Sequence, residues 1–411
     1  MLRIFNDIPQ WYCGFSMIFR NSVANFHSKF MVMITRYYQL INDLESSVFL
    51  FGSRQTGKST FLRQKLPKAI FIDLLDSRWR MRFQSHPEAL YEMLHNSEEG
   101  TIVVIDEIPE VPELLNEVHR LIFERKIVFV LCGSSARKLK RKGHNTLGGR
   151  AYPCFFYPLV SAEVPDFDLD HVLVSGMLPM AYLSKKSARY LASYVDVYLR
   201  EEIREEALVR NFNNFQRFLE VAALTDGEMV NYTNIASDCG VSANTVKGFF
   251  GILEDTLIGY MIPAFNRTQK RRVSQAPRFY FFDVGVTQYL LRHQTLKRGT
   301  PEFGHAFEHF VVQELIAYIG YNHKRERLSY WHTHSGMEVD VVIGDAQLAI
   351  EIKSVDCVQS KHLGGLRAFK DEFADCRCVI VSLDIVPRMM GDVQCVYLND
   401  FLAQLWRGEW F

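Results

Sequence analysis

The chain has 411 residues, 48% of them hydrophobic, which is enough to build two to three domains with separate cores and excludes a disordered, charge-rich polymer. Its 47 Lys and Arg are matched by 47 Asp and Glu, so an extended basic surface is excluded and any nucleic-acid contact must be local. No apolar run approaches the roughly 18 residues of a membrane span, and the eight scattered cysteines contain no C-x-x-C pair. Reduced thiols, a cytoplasmic location and no membrane partner are therefore expected.

Residues 1–32 show neither helical nor strand periodicity despite Trp11, Phe15, Ile18, Phe19 and Phe26, and read as an N-terminal extension. Met31 or Met33 is an alternative start, because an amphipathic helix is expected from Thr35 to Leu44. Next comes the apolar run from Ser47 to Phe51, a buried strand, followed by Gly52, Ser53, Arg54, Gln55, Thr56, Gly57, Lys58, Ser59 and Thr60. This stretch satisfies G-x-x-x-x-G-K-[ST] between a strand and a helix, the context a phosphate-cradling loop needs. Two glycines let the backbone curl so that its N–H groups converge on phosphate oxygens, and the helix beginning at Lys58 adds its positive end. Lys58 is expected on the β- and γ-phosphates of ATP, and the Ser59 hydroxyl on Mg2+. The alternative is a glycine-bearing turn without a ligand.

The strand from Thr101 to Ile105 ends in Asp106 and Glu107, which places two acids at the carboxyl edge of a parallel sheet. Asp106 is expected to hold Mg2+ through its water shell and Glu107 to polarise the attacking water; capping of the following helix is the structural alternative. A further strand from Ile127 to Gly133 delivers Ser134 and Ser135 to the same edge, where a hydroxyl can sense the γ-phosphate. Beyond it, the Gly148-Gly149 pair precedes Arg150, suited to reach a neighbour's phosphate; from spacing alone a surface ion pair explains it better.

Residues 190–225 read as helices carrying a charged face around Arg200–Glu206. From Tyr232 to Leu253 a short helix, a turn at Gly240, a Ser242 cap and a second helix give helix-turn-helix spacing. Val246, Phe249, Phe250 and Leu253 form its buried stripe, leaving Ser242, Asn244 and Lys247 outward to face DNA or a protein partner. The loop Asn266–Arg272 holds four cations, including Lys270, Arg271 and Arg272, and is the better phosphate contact.

Residues 336–343 and 348–355 alternate around the turn 344–347 and read as an antiparallel hairpin. A symmetric turn sets Asp340 opposite Glu351 and Glu338 opposite Lys353, with Val339, Val341, Ile350 and Ile352 on the other face. With opposed Cβ atoms about 5 Å apart, the two carboxylates repel unless they share a proton or a divalent ion. Mg2+ or Mn2+ on Asp340 and Glu351, with Glu308 completing the site and Lys353 steadying charge, would suit phosphodiester cleavage. An exposed face decorated by a Glu338–Lys353 pair explains the same alternation.

The ordered set of Gly52–Ser59, Ile105–Glu107, Cys132–Ala136, Leu147–Arg150, Pro158–Glu163, Phe279–Gly285, Glu338–Asp340 and Glu351–Lys353 resembles a prokaryotic family. Its members are AAA-type P-loop ATPases fused to a C-terminal domain of unknown function with a PD-(D/E)xK restriction-endonuclease-like signature. The resemblance implies that Arg150 is an arginine finger acting in trans, hence a head-to-tail homo-oligomer, and that Asp340, Glu351 and Lys353 are nuclease-type residues. Val339 stands where that pattern has a variable proline, and Ile108-Pro109 follow Glu107 where a polar residue is common.

The expected fold is α/β: a P-loop NTPase parallel sheet with helices on both faces over 33–165, a helical and winged-helix segment over 166–275, and a small nuclease-like domain over 276–411. The expected function is Mg-dependent ATP hydrolysis coupled to a module that binds or cuts DNA or another nucleic acid. An ATP-gated switch or scaffold without nuclease activity is the alternative.

Overall fold

A computed structural model describes residues 34–40, 44–134, 149–199, 212–266 and 276–411. Contacts divide the chain into two units, Met1–Thr35 and Arg36–Phe411, and every element below belongs to the second. The expectations for residues 1–32, Ser135, Leu147 and Gly148, the charge run at 200–206, and Lys270, Arg271 and Arg272 lie outside the described residues. Among the described residues no helix is long and apolar enough to cross a membrane.

Five strands, β1 (Ser47–Phe51), β2 (Ile70–Asp73), β3 (Ile102–Asp106), β4 (Val128–Gly133) and β5 (Ala151–Phe155), form one sheet in the order β2-β3-β4-β1-β5. Every pairing in it is parallel. Parallel strands bury both faces, which is why their sequences are continuous apolar runs. Phe49, Phe51, Val103, Ile105, Phe129 and Leu131 point into one core, shared with α2 (Ser77–Ser85), α3 (Ala89–Leu94) and α4 (Leu114–Arg125). Val48, Leu50, Val104 and Val130 are equally buried on the opposite face. Helix α1 (Lys58–Lys65) follows β1 directly after the glycine loop. The helix expected from Thr35 does not form over Arg36–Gln39. Glu163 draws both the Arg36 guanidinium (2.9 Å) and the Tyr37 N–H (2.7 Å), and these bonds hold the backbone away from helical geometry.

The middle of the chain is helical: α5 (Leu169–Ser175), α6 (Pro179–Leu183), α7 (Ser187–Ala192) running into a π-helical turn at Ser193–Leu199, and α8 (Phe212–Leu224). The helix-turn-helix follows as α9 (Tyr232–Cys239) and α10 (Ala243–Asp255). Gly240 turns with φ 66° and Ser242 accepts from Thr245 N, the expected turn and cap, and Asn231 caps α9 by accepting from Asn234 N. Val246, Phe249, Phe250 and Leu253 are buried, whereas Ser242, Asn244, Lys247 and Gly248 are exposed. Strands β6 (Gly259–Ile262) and β7 (Arg278–Phe281) make an antiparallel ribbon, and α11 (Val284–Leu290) packs back against α5. A boundary at 276 would separate β7 from β6, its hydrogen-bonded partner.

The rest of the chain is α12 (Pro301–Tyr321), β8 (Leu328–His332), β9 (Glu338–Ile343), β10 (Leu348–Lys353), α13 (Gly364–Glu372), β11 (Arg377–Ser382), β12 (Arg388–Met390), β13 (Val393–Tyr397) and α14 (Leu398–Trp406). The sheet order is β12-β13-β11-β10-β9-β8, with only β10–β11 and β11–β13 parallel. The β9–β10 register pairs Ile343 with Leu348, Val342 with Ala349 and Val341 with Ile350, as the symmetric turn requires. Beyond that pair the Asp340 carboxylate, rather than a backbone carbonyl, takes the Ile352 N–H at 2.8 Å. The hairpin is interior, so an exposed decorated face is ruled out: Asp340 is 3% and Glu351 5% exposed.

Candidate active site

The glycine loop is fixed at both ends by backbone geometry. Gly52 N donates to Gly133 O (3.3 Å), tying the loop to the end of β4, and a Cβ at Gly52 would collide with the Phe156 carbonyl. Gly57 turns with φ 94°, a conformation that costs a side-chain-bearing residue about 1 kcal/mol or more. Inside the loop, Thr56 Oγ1 donates to Ser53 O (2.8 Å) and the buried Lys58 ammonium donates to Gly52 O and Ser53 O. Gln55, Ser59 and Thr60 are exposed at the rim, and Arg54 is half-buried.

Ser59 Oγ donates to Asp106 Oδ2 at 2.6 Å, joining the start of α1 to the carboxyl end of β3 across 47 residues. Glu107 follows in the left-handed region (φ 55°), only 6% exposed, with Oε1 3.9 Å from Arg54 Nε. Ser134 directly follows β4 on the same edge and is buried. Thus Lys58, Ser59, Asp106, Glu107 and Ser134 gather at one edge of the parallel sheet. Mg2+ fits there: a hydroxyl and a carboxylate oxygen already converge, and hard oxygen donors with room for water are what that ion takes.

Arg150 lies elsewhere. The parallel pairing of β5 begins with Ala151 opposite Ser47, so Arg150 precedes it at the amino edge of the sheet, a strand length of roughly 17 Å from the loop. It is exposed there and cannot serve the loop of its own chain.

The C-terminal acids form a second centre around two internal cations. Arg278, 6% exposed at the start of β7, sends Nη2 to Glu338 (2.9 Å) and Nη1 towards Glu308 (3.5 Å) and Asp340 (3.8 Å). Lys353 Nζ lies 2.7 Å from Glu351 and 3.4 Å from Asp340. Tyr280 OH donates to Glu308 at 2.7 Å. Burial, then the Asp340 charge, pushes Glu351 up to about 8 and Glu308 up to about 7, while Lys353 and Arg278 pull the other way. Glu308 keeps 20% of its side chain exposed, so burial weighs less on it than on Glu351. Glu351 Oε2 has no hydrogen-bond partner, which a protonated carboxyl tolerates better than a carboxylate. Among the described residues no group of three or more His, Cys, Asp or Glu is arranged to hold a metal ion. Asp340, Glu351, Glu308 and Lys353 lie together, but the Arg278 guanidinium stands among the acids, where the sequence pattern has no cation, and they do not fit a divalent metal.

Several residues that connect these centres escaped the sequence reading. Arg36, 6% exposed, donates to Thr56 O (2.7 Å) in the glycine loop, to Tyr157 O and Pro158 O, and to Tyr321 Oη at the end of α12 (3.0 Å). Glu314 in the middle of α12 accepts from Ser161 N, Ser161 Oγ and Trp406 Nε1. Ser53 Oγ donates to Leu257 O just past α10 (2.6 Å). The signal for Arg278 and Glu314 was a lone charge in an apolar strand or helix; Arg36 had no such signal. Asp283, quoted in the family resemblance, is a joint: it caps α11 and accepts from Met177 N at 2.7 Å.

Three family models match consecutive parts of the chain: an AAA domain over residues 45–164, a domain of unknown function (DUF8612) over 166–297, and a domain of unknown function (DUF4143) over 303–400. No curated protein matches. Among solved structures, one that matches is titled "Structural Basis for DNA Unwinding at Forked dsDNA by two coordinating Pif1 helicases", at 12% identity and a TM-score of 0.19, over 38% of this chain and 49% of that one. That likeness is too slight to bear on substrate or partner. The α/β architecture is shown by the sheets themselves: a parallel five-stranded sheet of P-loop NTPase type with an AAA-domain match, followed by a mixed sheet.

Proposed function

We propose that the chain is a Mg-dependent ATPase. The observation that carries this is the 2.6 Å contact between Ser59 and Asp106 beside a buried Lys58. The loop amides cradle the polyphosphate, and Lys58 exchanges its two loop carbonyls for β- and γ-phosphate oxygens. Ser59 and Asp106 would hold Mg2+, which would supply positive charge against the phosphate oxygens. Glu107 accepts the proton of the attacking water, and Ser134 orients the γ-phosphate. Arg150 reaches the phosphate of a neighbouring copy, a reading supported by its exposure at the far sheet edge and one that requires a homo-oligomer. Purified full-length chain should release phosphate from Mg-ATP. Lys58→Ala should lose nucleotide binding, and Glu107→Gln should bind without turnover. Wild-type binding without any turnover, unchanged by Glu107→Gln, removes the hydrolysis reading.

Nucleotide state reaches the C-terminal parts through Ser53–Leu257 and Arg36–Tyr321. A nucleic-acid role rests on the open face of α10 in the helical segment, where Asn244, Lys247 and Gly248 are exposed. Salt-dependent DNA binding that weakens in Lys247→Ala tests it. Metal-dependent cutting is not part of this proposal, because Arg278 and Lys353 already answer the carboxylates; an ATP-gated switch without nuclease activity fits them better. The domain limits proposed are 33–165 for the ATPase, 166–275 for the helical segment and 276–411 for the module, with the β6–β7 ribbon straddling the last division.

A further inference from the structure

The carboxylate cluster and the β6–β7 ribbon meet through one side chain. Arg278 opens β7, yet its guanidinium lies 2.9 Å from Glu338 and within 3.8 Å of Glu308 and Asp340, all on other elements. It stacks over Tyr330 at 4.7 Å. Tyr330, on β8, grips both arms of the ribbon: its N–H donates to Pro263 O and its carbonyl accepts from Phe265 N on the β6 side, while its hydroxyl donates to Ala276 O on the β7 side.

We propose that Arg278 is the resident cation of this cluster, standing where a divalent metal would otherwise sit and latching the ribbon to the C-terminal sheet. A divalent ion needs several free carboxylate lone pairs and open water positions. Here Arg278 engages Glu308, Glu338 and Asp340, Lys353 engages Asp340 and Glu351, and Asp340 Oδ2 also accepts the Ile352 N–H. A guanidinium presents its donors in a fixed planar fork, so it can address acids from several elements at once, which a compact ammonium at the same position cannot. A metal ion on the carboxylates that Arg278 touches would be repelled by the guanidinium, so the two compete for the same acids. The inference does not depend on ATP hydrolysis.

The test is a titration of nucleotide-free, full-length protein with Mn2+ followed by electron paramagnetic resonance, with amide hydrogen exchange read at Phe265 and Tyr330. Wild type should bind no Mn2+ that Asp340→Asn removes. Arg278→Gln should gain one bound Mn2+ that added Asp340→Asn abolishes, and its exchange at both amides should accelerate. Arg278→Lys, which keeps the charge but loses the fork, should still exclude Mn2+ while the ribbon loosens. Should Arg278→Gln fail to fold, Glu338→Gln, whose side chain is 45% exposed, should still speed ribbon exchange. Mn2+ binding by wild type that depends on Asp340, or unchanged ribbon exchange in the folded variants, overturns the proposal.

Discussion

The glycine loop and the carboxylate cluster both concentrate charge, yet they are finished differently. At the loop, Gln55, Ser59 and Thr60 stay at the surface, and Lys58 donates to carbonyls of its own loop. In the cluster, acids drawn from α12, β9 and β10 converge on a guanidinium brought in by β7 and an ammonium from β10. A site prepared for a charged ligand keeps its partners on nearby, replaceable groups. A closed ion network draws them from distant strands and becomes part of the packing.

The largest effect that sharpens this contrast is kinetic. Glu107→Gln should cut ATP turnover by on the order of 10²- to 10⁴-fold while nucleotide binding, read by calorimetry, persists. A comparable loss of binding would mean that Glu107 supports the loop rather than the chemistry. Next is Arg278→Ala, which should lower unfolding free energy by about 3–5 kcal/mol in urea, since removing a buried cation strands its carboxylates. A loss under about 1 kcal/mol would show the network to be no tighter than a surface pair.

A third measurement asks whether burial alone can neutralise an acid. Burial pushes Glu314 up to about 7, against the hydrogen bonds from Ser161 and Trp406 and with Glu163 nearby. Its folded form therefore holds a proton that the unfolded chain releases near pH 4.5, so stability is greatest below that pH and falls as pH rises towards 7. Glu314 should contribute on the order of 3 kcal/mol to that fall, and Glu314→Gln should remove this share while leaving slopes of the same sign from Glu308, Glu351 and Asp283, which burial holds near 7, 8 and 6. Urea midpoints at pH 5 and pH 8 check this. The smallest effect is at the join: Tyr321→Phe removes a hydroxyl serving Arg36 and Tyr157 N and should cost about 1–2 kcal/mol of stability.

What could be read beforehand depended on distance along the chain. The loop, the Asp106–Glu107 strand end, the caps of α9 and α10 and the β9–β10 register are local patterns, each contained in about 20 residues, where periodicity and turn chemistry decide the outcome. Arg36 meets Tyr321 across 285 positions, Ser161 meets Glu314 across 153 and Arg278 meets Glu338 across 60. No local pattern encodes those meetings. The register that brings Asp340 and Glu351 within reach of Lys353 was legible, but the cation between neighbouring acids was not, because it arrives on another strand, β7. Arg150 shows the converse: its motif suggested reach towards a phosphate, and only the register of β5 against β1 fixed which edge it occupies.

Helix α12 carries Tyr321 at one end and Glu308 near the other, separated by about 20 Å of helix without a proline. Its flanks are enclosed by Phe303, Phe307, Phe310, Val311 and Leu315, all below 1% exposed. A close-packed shaft of this kind compresses very little. On the proposed function, a push delivered through Arg36 when the polyphosphate seat changes shape would arrive at the acids beside Arg278 as a displacement of the whole shaft, and the nearest give would be the grip of that guanidinium.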